Sequence, residues 1–229
     1  MVSMFLALAA VISTQFCTAA SAQPFRAAFV DEAPSDPAFF DYREALLKAV
    51  EQRDVNYVVK QVANDIQLGF GGINGPEAMR AFLTVDPIFL APDLQKRAPE
   101  IRERNWNALQ STLELGGRFE DENTVFVAPY TWTAIVPEKA DPFETFFVIG
   151  DGVALRDQPN LQGRVLTRLD YDIVTMLDDD DEETFPKIKL SHGQIGFAHR
   201  DYLRALVGHR AFFSQVAGQW KMTVFVAGD

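Results

Sequence analysis

The chain has 229 residues, 48% of them hydrophobic and 12% aromatic, and a formal net charge of -11. That is enough apolar material for a packed core and enough length for one large or two small domains, so a disordered chain is excluded. So acidic a surface repels nucleic acid and anionic lipid and favours cationic partners.

Met1 to Ala22 carry no charged side chain, and an apolar run from Met4 to Ile12 leads to Ala20-Ser21-Ala22 before Gln23. An apolar stretch followed by a small-x-small site is the pattern of a secretory signal peptide, and the run is too short to span a bilayer. The expected location is therefore periplasmic or secreted, with no membrane span after cleavage. The single cysteine, Cys17, lies inside this leader behind Gln15-Phe16, which does not suit lipidation. A mature chain starting at Gln23 has no cysteine, which removes disulfides, thiolate catalysis and cysteine-ligated metal together.

Residues 23–35 read as a linker with scattered prolines. Asp36-Pro37 predicts a helix start, since aspartate caps orphan N–H groups and proline fits the first turn. Phe39, Tyr42, Leu46 and Ala49 follow at helical spacing. A second short helix is expected from Asp54 with Val55, Val58, Val59 and Val62, then a strand at Asp65-Ile66-Gln67-Leu68. Gly69 to Gly75 form a glycine-rich loop, and Pro76 opens a helix with Met79, Phe82 and Leu83. Prolines at 87, 92 and 99 break the next stretch into turns. Glu100 to Leu115 predict a longer helix with Trp106, Leu109 and Leu113 on one face, ended by Gly116-Gly117, and Thr124 to Ala128 a strand.

From Thr145 the texture changes to short β segments: Val153 to Arg156, Ile173 to Leu177, Lys187 to Leu190 and Gln194 to Ala198. Arg210 to Gln215 and Trp220 to Val226 flank Ala217-Gly218-Gln219 and read as a closing hairpin, with more apolar surface than a small barrel can bury, so it is expected to pack back onto the first unit.

The segment Val148-Ile149-Gly150-Asp151-Gly152-Val153-Ala154-Leu155-Arg156-Asp157-Gln158-Pro159-Asn160 resembles the opening of bacterial SH3-like domains, a strand ending in a Leu-Arg-x-x-Pro turn. Lys187-Ile188-Lys189-Leu190, His192-Gly193-Gln194-Ile195-Gly196-Phe197-Ala198 and Asp201-Tyr202-Leu203 continue that pattern in order. Phe185-Pro186 stands where the family often has Trp. The resemblance covers residues 145–206 and implies a small β-barrel, bent tightly at Gly196 and plugged by Phe197 and Leu203, that serves envelope targeting or peptide binding. The helix-helix-strand opening and the closing hairpin through Gly218-Gln219-Trp220-Lys221-Met222 resemble cone-shaped nuclear-transport-factor-2-like domains over fewer elements. The expected fold class is thus α+β: a mostly helical domain over 36–143, a small SH3-like β-barrel over 145–206 and a C-terminal β-hairpin over 207–229.

The motifs that invite chemistry do not complete a site. Gly69 to Gly75 precede a helix, but Pro76 removes an N–H, Glu77 adds negative charge, and no Gly-Lys-Ser/Thr follows. His199-Arg200-Asp201 matches three letters of a kinase loop, yet Leu206 holds the metal-binding Asn position. The run Asp178-Asp179-Asp180-Asp181-Glu182-Glu183 lacks the alternation and central glycine of a calcium loop. His192, His199 and His209 all lie in the β half, which removes the usual base, nucleophile and soft metal ligand from the first half and leaves only a paired-carboxylate mechanism there, for which Asp65 and Glu77 are the best pair.

The expected function is therefore a non-enzymatic envelope protein, without cofactor or metal, that binds an envelope protein or cell-wall peptide. The alternatives are a carboxylate-dependent cell-wall glycan hydrolase, and a structural unit that only packs against the first domain. SH3-like domains recognise extended peptides on aromatic grooves. The expected ligand-binding residues are Tyr171, Phe185, Phe197 and Tyr202, and the 178–183 acidic loop favours a basic partner.

Overall fold

The structure is a computed structural model that describes residues 25–69, 72, 74–178 and 183–228. The leader, Cys17 and its cleavage site lie outside the described residues, as do Phe70, Gly71 and Ile73 of the glycine loop and Asp179 to Glu182 of the acidic run.

Local signals set the helices of the first half. The Asp36 carboxylate accepts from Ala38 N and Phe39 N, which starts α1 (Pro37–Glu51). Asp54 accepts from Tyr57 N and starts α2 (Val55–Gln61). Proline sits in the first turn of both α3 (Pro76–Thr84) and α4 (Ala98–Glu114).

These four helices are half of the unit at most. The other half is a five-stranded sheet in the order β1-β12-β11-β3-β2, from β1 (Val62–Gln67), β2 (Arg118–Glu120), β3 (Val125–Ala128), β11 (Arg210–Val216) and β12 (Gln219–Val226). The mostly helical first domain is therefore corrected to helices packed on a sheet, and the closing hairpin to the interior of that sheet. β12 pairs with β1 in parallel and β11 pairs with β3 antiparallel. The reason is burial: Phe213, Trp220, Met222 and Phe225 join one core cluster with Phe39, Leu46, Trp106, Leu109 and Phe126. The ring of Phe39 is the hub, with centroids 4.3 Å from Phe126, 4.9 Å from Trp220 and 5.4 Å from Phe213.

The remaining strands form a seven-stranded antiparallel sheet in the order β10-β4-β7-β8-β9-β5-β6. They are β4 (Thr145–Val148), β5 (Val153–Arg156), β6 (Val165–Leu169), β7 (Ile173–Met176), β8 (Lys187–Leu190), β9 (Ile195–Phe197) and β10 (Leu203–Ala205). The expected small SH3-like barrel is corrected as well: the strand order ends at β10 and β6 and does not close. One core gathers Val148 from β4, Leu155 from β5, Leu169 from β6, Val174 from β7 and Ile188 from β8. Strands from both ends of the order share it, so the sheet bends over on itself as two packed layers. Phe197, expected as a barrel plug, is half-buried, and Leu203 lies on edge strand β10.

The segment from Phe25 to Glu32 touches both sheets. Ala27 N donates to Tyr171 O and Ile173 N to Phe25 O, which forms a single antiparallel bridge between Arg26 and Asp172, just before β7. Further on, Gly117 N donates to Val30 O and Glu32 N to Gly117 O. Between these contacts a third cluster packs Ala27, Tyr130, Phe147 and Ile173. Among the described residues, no helix is long and apolar enough to cross a membrane.

Candidate functional site

A pocket of about 450 Å³ opens on the seven-stranded sheet. It is lined by the Asp151-Gly152 turn, by Val153, Ala154 and Arg156 of β5, by Leu161 of the β5–β6 loop and Arg168 of β6, and by Phe185, His199, Asp201 and Tyr202.

The β5–β6 wall follows from strand alternation. Successive side chains point to opposite faces. Leu155 and Leu169 are fully buried in the sheet core, so their neighbours Arg156 and Arg168 point the other way. Arg156 Nη1 donates to Gly163 O at 2.8 Å and Arg168 Nη1 to Gly152 O at 2.6 Å. Each guanidinium thus clasps a neighbouring loop with one N–H, and among the described residues neither has a carboxylate partner. Gly196 fixes where this wall stands. A β-carbon there would lie 2.7 Å from the Arg156 carbonyl oxygen and 2.7 Å from Leu155 Cγ, so only glycine lets β9 press against β5.

Another part of the lining is aromatic. Phe185 meets His199 edge to face with centroids 4.9 Å apart, and His199 meets Tyr202 at 6.1 Å. Phe185 is buried and anchors the row, whereas Tyr202 is about half exposed at 49%. His199 Nδ1 lies 3.3 Å from Asp201 N and 3.5 Å from Asp201 Oδ2. A neutral ring accepts from the backbone N–H; a protonated one faces the carboxylate.

Of the four expected ligand-binding residues, the structure brings Phe185 and Tyr202 into this pocket. Tyr171 and Phe197 do not line it. Tyr171 turns the chain in the left-handed region at φ 56, donates its N–H to Gly150 O and packs with the cluster under the N-terminal segment. Phe197 is half-buried on β9, paired with Arg156 and Lys187. Arg156, Arg168 and His199 were not among the expected ligand-binding residues. The signal was the alternation itself: in Leu155-Arg156 and Arg168-Leu169, a core residue on one face sets a charge on the other. Asp178 and Glu183 of the acidic run do not line the pocket; Asp178 accepts from Lys187 N at 2.9 Å.

Asp65 and Glu77 line no common pocket among the described residues. Asp65 is exposed on β1, and Glu77, 87% exposed, reaches Arg80 at 3.7 Å; Glu77 lines a separate groove between α3 and α4 in which Asp65 has no part. Among the described residues, no three His, Cys, Asp or Glu side chains gather where a metal ion fits.

A second polar group lies at the junction of the two sheets. Arg204 of β10 donates to Ser111 Oγ at 3.2 Å and Thr112 Oγ1 at 3.1 Å on α4, and to the carbonyl of His209. Burial lowers its pKa to about 10, which still leaves it charged at neutral pH. Beside it the Tyr130 hydroxyl is buried without a partner and its pKa is raised to about 12, chiefly by burial. The His209 ring stacks on Phe225 at 4.9 Å, and burial, then the Arg204 charge, lower its pKa to about 4. Through Arg204 these groups join β10 to α4 and to the chain just before β11. No family model, no curated protein and no solved structure matches this chain.

Proposed function

We propose that the chain is an exported, non-enzymatic protein of the cell envelope that holds a peptide, cell-wall or protein partner in the pocket on its seven-stranded sheet. The observation that carries this reading is the pocket's make-up: the aromatic rings of Phe185, His199 and Tyr202 line a space of about 450 Å³ together with Arg156 and Arg168. Pockets of that size take small ligands or the end of a larger one. Among the described residues, the lining contains no serine, threonine or cysteine for His199 to activate as a nucleophile. A glycosidic general acid needs a carboxyl group withdrawn from water. Asp201 is 83% exposed and Asp151 is exposed, which favours binding over hydrolysis.

Tyr202 is the residue to change, because its exposed ring can be lost without opening the core. In co-sedimentation with purified peptidoglycan sacculi and with envelope extract, the wild-type protein is expected to bind and Tyr202→Ala to bind at least about tenfold more weakly. Circular dichroism should show the fold unchanged. Equal binding by both proteins sinks the assignment of this pocket.

Export is tested separately. The leader pattern ending in Ala20-Ser21-Ala22 predicts that mass spectrometry of the protein from the producing cells finds Gln23 at its N-terminus, outside the cytoplasm. A cytoplasmic protein that retains Met1 contradicts it.

A further inference from the structure

We infer that the protein forms a two-fold homodimer through the groove between α3 and α4, with Phe89 of each copy seated in the groove of the other. The inference is independent of the pocket on the seven-stranded sheet.

The groove encloses about 410 Å³, and its apolar lining includes Ala81, Val85, Phe89 and Ile101. Phe89 belongs to a single 3-10 turn, Pro87–Phe89, that displays two large apolar side chains. Ile88 is 74% exposed and Phe89 86%, the most of any phenylalanine among the described residues. The turn is well tied. Asp86 Oδ1 accepts from Ile88 N at 3.0 Å, Phe89 N donates to Asp86 O, and Leu90 N donates to Pro87 O. Both side chains therefore stand in water on a fixed backbone, beside an apolar groove that remains open. An exposed apolar surface next to a recess marks a contact site.

Symmetry and charge point to a second copy as the occupant. In a two-fold pair each patch meets itself, so a projecting group and the recess that receives it must lie on one patch. Phe89 and the groove meet that condition. Residues 76–105, which form α3, the turn and the first half of α4, carry five acidic and five basic side chains. This stretch is neutral in a chain whose net charge is -11, so two copies can meet here without the repulsion that the rest of the chain imposes. The groove lining contains both signs, Arg80 and Asp86, and each copy thus offers the other an opposite charge. A strongly acidic or basic protein would be matched by a patch of one sign, and an anionic membrane by an excess of basic side chains.

The test is sedimentation equilibrium of the purified protein from about 1 μM to about 1 mM. The mean mass is expected to rise from that of one chain and to level at that of two. Burying one phenylalanine strengthens association by about tenfold or more, and the symmetric pair buries two, so Phe89→Ser should weaken it at least about a hundredfold. Its circular dichroism should match that of the wild type, because the ring lies outside the core. Phe143→Ser removes a ring that is 62% exposed on another part of the surface and should leave the association unchanged. Hydrogen exchange of the wild type at both ends of the concentration range should show slower amides over 81–90 and 98–105 at the high end. A single chain at every concentration overturns the inference. So does a dimer that Phe89→Ser leaves intact, or one that Phe143→Ser weakens as much. A mass that climbs past two chains without levelling overturns the two-fold arrangement, and protection confined to other segments overturns the face. Flotation with vesicles of phosphatidylcholine and phosphatidylglycerol covers the remaining occupant: a single chain that floats, and loses this with Phe89→Ser, assigns the turn to a membrane and overturns the dimer. If Phe89→Ser does not fold, Ile88→Ser and the exchange measurement decide.

Discussion

Replacing Asp31 with alanine is expected to lower the free energy of unfolding by about 3 to 5 kcal/mol, the range for breaking one half of a buried ion pair. Asp31 meets Arg43 through two parallel bonds, Nη1 to Oδ1 at 2.6 Å and Nη2 to Oδ2 at 2.8 Å. The Arg43 side chain is 7% exposed, and its Nε is already buried without a partner. Without Asp31 the guanidinium keeps only a longer contact to Glu44 at 3.4 Å and the face of Phe40. The carboxylate also accepts from Ala33 N at 3.2 Å, just after the segment that lies on both sheets. Losing it should therefore loosen the pairing of Val30 and Glu32 with Gly117. Arg43→Met tests the cause, because an apolar residue of similar length removes the charge that Asp31 neutralises. The double variant Asp31→Ala/Arg43→Met should be more stable than Asp31→Ala alone. Urea unfolding of the four proteins measures this. A single-variant loss under about 1 kcal/mol, or additive losses in the double variant, would mean that the pair is no more than a surface ion pair.

The same segment shows where sequence reading fell short. Residues 23–35 carry scattered prolines and no periodic pattern, so they read as a linker. Besides the Asp31–Arg43 ion pair, their described part is held by backbone pairings with Tyr171, Ile173 and Gly117, which no side-chain pattern announces. The helices were legible because their signals are local: Asp36 and Asp54 cap, and Pro76 and Pro99 lie in first turns. The sheets were only partly legible. β6 is mostly solvated, with Leu169 its one buried residue, and β2 and β10 have three residues each. Strands so short, or so polar, show no alternation to read. With β4, β6 and β10 missed, four expected strands and a hairpin looked like a small barrel with an appendage. The parallel pairing of β1 with β12 joins Val62 to Met222, a contact that no local pattern sets. The helix-helix-strand opening and the closing hairpin, which carried the second resemblance, meet in that pairing. In the pocket, Phe185 and Tyr202 were legible as aromatics in a β region. Tyr171 and Phe197 belong to the same composition but face other neighbours, which sheet register decides and composition does not.

Below neutral pH the protein is expected to lose stability through His209. Its ring lies between Phe225, stacked at 4.9 Å, and Phe82 at 6.0 Å, with the Arg204 guanidinium beside it. Burial and that cation both disfavour a protonated ring, so its pKa falls from 6.5 to about 4. The unfolded chain binds the proton first on acidification. Stability is thus fully present above pH 6.5 and declines as the pH falls toward 4. The whole shift corresponds to about 3 kcal/mol. Asp172 works in the opposite sense: burial raises its pKa, so the folded state takes up that proton more readily than the unfolded one. Its gain comes at the acidic end and offsets part of the loss there, which makes the upper half of the window the cleaner one to measure. His209→Phe keeps an aromatic ring against Phe225 and leaves the backbone carbonyl that Arg204 uses. It should flatten the decline between pH 6.5 and 5 while changing stability little at pH 8. Arg204→Met removes the cation and should move the decline toward lower steepness, at the cost of the bonds to Ser111 and Thr112 that join β10 to α4. Thermal unfolding of the three proteins across this range decides the matter: parallel curves for wild type and His209→Phe would assign the acid sensitivity to some other group, and a flat wild-type curve would show that the junction opens to water far enough to solvate the ring.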